Sequence, residues 1–222
     1  IVQAYAAIAN GGLRRDPVVL RQVFKGQTPL LVDQSQFKRD QVLQYKAAVK
    51  SGYSVAPEAF GAIPGVSPAS IAQLRSIMQG VVKRGTATRI REWGDLIGGK
   101  TGTTNDSKDV WFSGYNNKIA IVVWVGYDDT KAYDSLAGAT GGGVALPIFQ
   151  MIMDGYYKIN PAELNNPLPQ PTDIPGLVHA KVDAGSGRVY AYGSCNGSAP
   201  ASASDEYLLE SSFVATTSAK GT

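Results

Sequence analysis

Residues 98–127 constrain this chain more than any other stretch. GGKTGTTN at 98–105 is followed by VWFSGY at 110–115 and KIAIVVWVGY at 118–127, the last two divided by Asn116-Asn117, a turn signal. Glycine and threonine disfavour helix, so 98–105 reads as a strand edge or a loop, while the β-branched and aromatic runs after it read as strands. Together they predict a three-stranded antiparallel meander. A first strand with so little side-chain bulk lets another backbone or a ligand approach closely, which points to binding.

Helices flank this meander in the expected pattern. The alanine-rich start, IVQAYAAIAN, carries Tyr5 and Ile8 at helical spacing and stops at Asn10-Gly11-Gly12. Because the chain begins at Ile1 and enters mid-helix, an upstream portion is expected, and without it Tyr5 and Ile8 are expected to lack packing partners. VVLRQVF and PLLVD, around Lys25-Gly26-Gln27, predict a hairpin, and residues 34–65 an irregular connection. Ser67-Pro68 opens a helix with Ile71, Leu74, Ile77, Met78, Val81 and Val82 on its apolar face, ending near Gly85. PIFQMIMDGYY, with Pro147 in its first turn, is another helix, preceded by the triplet Gly141 to Gly143. The fold class is therefore α+β, an antiparallel sheet flanked by helices.

Five prolines between Pro161 and Pro175 mark an extended linker, so the main unit is expected to span 1–158 and a small tail 159–222. Within that tail AKVDAGSGRVYAY reads as a hairpin and GSAPASAS as low-complexity sequence. At 222 residues and 44% hydrophobic content the chain can bury one core. A formal charge of +3 is too small and too scattered for a nucleic-acid or membrane footprint. No apolar run approaches the roughly 20 residues of a spanning helix. Cys195 is the sole cysteine, which excludes an internal disulfide and a cysteine metal cluster; no metal or other cofactor is expected. His179, the sole histidine, reads as a solvated loop residue, so chemistry here falls to lysine or serine.

Lys100-Thr101-Gly102 matches the K-T-G signature shared by penicillin-binding proteins and serine β-lactamases. Extended to GKTGTTNDSKDVWFSGY and VVWVGYDD, the stretch closely resembles the transpeptidase domain of class A penicillin-binding proteins. AYAAIANGG resembles the helix after that family's S-x-N motif, LRSIMQGVVKRGTA the helix before its K-T-G strand, and TGGGVALPIFQMIM the helix after its sheet. Ser35-Gln-Phe-Lys38 matches S-x-x-K and Ser194-Cys195-Asn196 matches S-x-N, but both stand in the wrong order and read as accidental. The resemblance implies that the nucleophilic serine, its lysine and the S-x-N residues lie in a segment preceding Ile1.

The resemblance also implies roles. The substrate peptide docks beside the K-T-G strand as an added strand, and Gly102 permits its approach. Lys100 places a positive field where the carboxylate of a stem peptide or a β-lactam sits. Strand periodicity puts Thr101 and Thr103 on one side, suited to a carboxylate, and Lys100 on the other; the sequence leaves open how its ammonium returns, a bulge or edge twist near Gly98-Gly99 being one route. The Thr103 backbone N–H is implied as half of an oxyanion hole, so Lys100 and Thr103 are the catalytic candidates and Lys100, Thr101, Gly102, Thr103 and Thr104 the substrate-binding ones. Asn105 and Asp106 shape the turn after the strand, and Trp111 and Phe112 are expected in the core.

The leading reading is the C-terminal part of a peptidoglycan D,D-transpeptidase, with stem peptides as substrates and β-lactams as covalent inhibitors, at the outer face of the bacterial cytoplasmic membrane. The alternatives are a serine β-lactamase and a non-catalytic peptide-binding module.

Overall fold

In the computed structural model the described residues are 1–15, 17, 22–25, 27–32, 63–127, 135–136, 138–171, 174–183, 185–191 and 199–209. Ser35, Lys38, most of the 34–65 connection, and Ser194, Cys195 and Asn196 lie outside them.

Helix α1 (Val2–Ala9) ends at Asn10, and Gly11 and Gly12 follow at φ +86° and +91°, a left-handed exit that glycine makes without strain. Strands β1 (Gln22–Lys25) and β2 (Thr28–Val32) form the expected antiparallel hairpin. Helix α2 (Pro68–Arg84) is capped by Ser67, whose hydroxyl accepts from Ser70 N–H at 3.0 Å. The sheet is β3 (Gly98–Thr103), β4 (Asp109–Tyr115) and β5 (Ala120–Gly126), in that spatial order and antiparallel throughout. Helix α3 (Leu146–Ile159) follows a wide turn at Gly141–Ala145 whose entry is capped by the Thr140 hydroxyl.

The two faces of the meander make different cores. On one, Phe112 and Phe149 of α3 meet edge to face at 4.7 Å, with Val110, Val123, Leu146 and Met153 around them. Each fully buried Phe contributes about 2–3 kcal/mol of burial free energy. On the other, Tyr115 donates to the sulfur of Met78 on α2 at 3.6 Å and packs with Leu168. Tyr5 and Ile8 of α1 join this second cluster, Tyr5 at 6.5 Å from the Tyr115 ring. The expectation that they lack partners is thus corrected: both are half-buried against this cluster, and Ile1 and Val2 are the exposed large apolar residues at the start of that helix.

The buried face of α2 also differs from the expected one. Ile71, Arg75, Met78 and Val82 are buried with Gln79, whereas Leu74 and Ile77 are exposed. The turn leading into β3 sets this rotation, because Gln79 reaches the carbonyls of Gly94 and Asp95 at 3.3 Å each and ties α2 to it.

Beyond α3 the proline-rich stretch is packed in part. Pro161–Asn165 is a short 3-10 turn, and Leu168 is 1% exposed with its N–H bonded to Asp95 C=O. Strands β6 (Leu177–Asp183), β7 (Val189–Ala191) and β8 (Ala203–Leu209) form a second antiparallel sheet, order β7-β6-β8, the first two making the expected hairpin. Strand β8 lies against α2, where Gln73 donates to Tyr207 C=O at 2.8 Å and Arg84 pairs with Glu206. His179 is on strand β6 rather than in a solvated loop: its ring stacks on Tyr207 at 4.9 Å and its Nε2 is 3.1 Å from Asp205. Cross-strand stacking, which one segment's sequence does not reveal, places it there.

Candidate active site

Strand β3 is an edge strand among the described residues, paired only with β4. Its register runs without interruption from Gly98 opposite Tyr115 to Thr103 opposite Val110, so no bulge occurs at Gly98-Gly99. One position further along, Thr104 N–H donates to Asp109 C=O at 2.9 Å. Hydrogen-bonded and non-bonded pairs alternate along an antiparallel ladder. Counting back from Thr104, the residues bonded to β4 are Gly102, Lys100 and Gly98, and those whose N–H and C=O face the open edge are Gly99, Thr101 and Thr103.

This alternation explains how the Lys100 ammonium reaches the edge. The side chain leaves the sheet on the opposite face from the threonines and is exposed. Its Nζ then curls to donate to Thr101 C=O at 2.8 Å, one of the outward-facing carbonyls. A flexible four-carbon stem, not a bulge, thus returns the ammonium.

The two threonine hydroxyls on the other face are each held by a residue that no local motif marks. Thr103 Oγ1 accepts from Gly141 N–H at 3.1 Å, which leaves its own proton free to be donated outward. Thr101 Oγ1 lies 2.7 Å from Thr86 Oγ1, just past the end of α2; one hydroxyl donates to the other and the pair keeps one proton to give. Gly141 can stand over β3 because it lacks a side chain: a Cβ there would overlap Trp111 C=O and fall 2.7 Å from Gly102 C=O. This close approach is the physical reason for a glycine at 141.

Thr104 is turned away from that cluster. Its hydroxyl accepts from Asp109 N–H at 2.8 Å and closes the turn at Asn105–Ser107, where Asp106 and Ser107 adopt φ of 63° and 51°. Phe112 is fully buried as expected, whereas Trp111 is on the other face beside Gly102, half-buried and 6.0 Å from Trp124, whose indole N–H donates to Asp109 at 2.9 Å. The edge therefore presents an ammonium, outward backbone N–H groups and hydroxyl protons, donors suited to a carboxylate and to a carbonyl oxygen gaining charge. Among the described residues no group of histidine, cysteine or acidic side chains could hold a metal.

An α+β meander whose first strand ends in K-T-G-T, bracketed by these helices, defines a class of domain, and the family model "Penicillin binding protein transpeptidase domain" matches residues 1–154. The chain belongs to that family. It is 35% identical over 201 residues to penicillin-binding protein 1A of Rickettsia bellii, covering 87% of this chain and 23% of that protein. With penicillin-binding protein 1A of Pseudomonas aeruginosa it shares 39% over 122 residues, 54% of this chain and 14% of the relative. Its fold matches the crystal structure of penicillin-binding protein 1A from Haemophilus influenzae with a TM-score of 0.62 at 21% identity, over 94% of this chain and 31% of that one. The chain thus spans about a quarter or less of the length of these two curated relatives.

Proposed function

We propose that this chain contributes the K-T-G half of the active site of a peptidoglycan D,D-transpeptidase, which works through a serine acyl-enzyme. The observation that carries the proposal is the convergence of the Lys100 ammonium with the outward backbone of Thr101 and Thr103 on one open strand edge. In this reading the stem peptide docks along β3 as an added strand, with Gly102 keeping the approach clear. Its terminal carboxylate is drawn by Lys100 and met by the free protons of Thr103 and of the Thr101–Thr86 pair. The Thr103 N–H stabilises the oxyanion formed as the carbonyl is attacked. Thr104 serves the site by fixing the turn that ends the strand.

The serine nucleophile, its lysine and the S-x-N residues are assigned to a segment preceding Ile1. Residues 1–158 would then be the C-terminal part of the transpeptidase domain, and 159–222 a small appended unit. Stem peptides are the substrates and β-lactams the covalent inhibitors, with no cofactor. The outer face of the cytoplasmic membrane is the location proposed with this reading, supported by the family resemblance; among the described residues no helix is long and apolar enough to cross a membrane.

Fluorescent-penicillin labelling of the full-length protein tests the proposal. A long-lived adduct on a serine preceding Ile1 is expected. Rapid turnover of the adduct would instead make the protein a β-lactamase, and no adduct at all would make it a binding module.

A further inference from the structure

One buried cation has no counter-charge among the described residues. Arg75 is 8% exposed, on the face of α2 turned toward the sheet, and its Nε has no hydrogen-bond partner. The titratable group facing it is Tyr115, whose hydroxyl already donates to Met78 and which burial holds protonated, far above the ordinary phenol range. Tyr115 therefore cannot neutralise the guanidinium. Leaving a guanidinium desolvated and unpaired is costly, and such sites are stabilised when an anion supplies the missing acceptors.

Arg75 lines a cleft of about 260 Å³ between the C-terminal end of α1 and the β4–β5 turn. Asn10, Asn116, Lys118 and Pro169 also line it. Two of the lining residues, Arg75 and Lys118, are cations, and none is an acid. The Nε itself is closed to solvent, so the donors that Arg75 can offer an anion in the cleft are its terminal N–H groups, which make no hydrogen bond among the described residues. Tyr115 is paired with Gly98, so the cleft sits at the end of the sheet remote from Thr103.

We propose that this cleft is a binding site for a small oxyanion, a carboxylate or phosphate, gripped by the Arg75 guanidinium and attracted by the exposed Lys118 ammonium. The site is separate from the K-T-G edge and does not depend on the transpeptidase reading. Its occupant would lock α1 and α2 to the β4–β5 turn.

The test titrates inorganic phosphate, and separately acetate, in the low-millimolar range into the full-length protein, with ionic strength held constant by chloride. Tm should rise saturably with at least one of the two anions, and calorimetry should give a matching one-site isotherm. Arg75→Met should abolish both responses. Lys118→Ala, at an exposed position, should fold normally and weaken the affinity several-fold. A wild-type protein that responds to neither anion beyond chloride overturns the proposal, as does a folded Arg75→Met that keeps the full response. Should Arg75→Met fail to fold, unchanged affinity in Lys118→Ala overturns it.

Discussion

The ammonium of Lys100 donates to the carbonyl oxygen of Thr101, its own chain neighbour, at 2.8 Å, and that bond carries a charge from one face of the sheet round to the open edge of β3. The charge rests at the strand edge on a backbone acceptor, and in the proposed reading an incoming carboxylate takes that acceptor's place. Lys100→Met should therefore lower the second-order rate of acylation by penicillin by about 100- to 1,000-fold, as for removal of other preorganised electrostatic groups. Stopped-flow labelling of the full-length protein measures it; a loss below about threefold would remove Lys100 from the site.

Thr86 and Thr101 share one hydrogen bond at 2.7 Å. Thr86→Val should slow acylation about 10-fold by taking away the partner that orients Thr101, and Thr86→Ser should restore it. Thr101→Val should cost about as much, and the double variant little more, since both changes break one interaction. A full sum of the two losses in the double variant would show that the hydroxyls act separately.

Two glycines should respond in opposite directions to the same substitution. Gly141→Ala forces a methyl into the backbone of β3 and β4 and should destabilise the fold by about 3 kcal/mol while moving the Thr103 hydroxyl. Gly155 lies within α3, where an added Cβ would meet nothing within 4 Å, so Gly155→Ala should stabilise by about 0.5–1 kcal/mol. Thermal unfolding of the two variants beside wild type decides both.

Asp183 anchors the turn between β6 and β7 by accepting from Ser186 Oγ at 2.5 Å, from Ser186 N–H at 3.1 Å and from Ser202 Oγ at 3.0 Å. These bonds, the Ser186 hydroxyl first among them, favour its charged form and lower its pKa below the ordinary aspartate value. A depressed carboxylate stabilises the folded state above its unfolded pKa, and that stabilisation is lost as pH falls through the folded one. Amide exchange in the β6–β7 turn should therefore quicken as pH drops below the usual aspartate range, after correction for intrinsic rates. In Asp183→Asn the exchange should be already faster at neutral pH and flat across that window.

Much of the candidate site's local geometry was legible in the sequence because its residues are contiguous. The alternation that sets Lys100 against Thr101 and Thr103 follows from the period of a strand, and the Ser67 cap, the β1–β2 hairpin and the turn at Asn116 follow from equally local chemistry. What that period could not give was the path of the lysine side chain, which an unbroken register and a flexible stem supply without a bulge.

The α+β class, the antiparallel meander and the membership of the transpeptidase family were all readable from the amino acids, because each rests on short-range propensity or on a contiguous motif. Packing alone settled which face of α2 is buried, why Gly141 must be glycine, that Thr86 holds Thr101, that His179 stacks on a strand, and that Arg75 is enclosed without an acid among the described residues. Those facts are contacts between residues far apart in the chain, fixed by how helices and strands fill the space between them, and no local pattern encodes such distances.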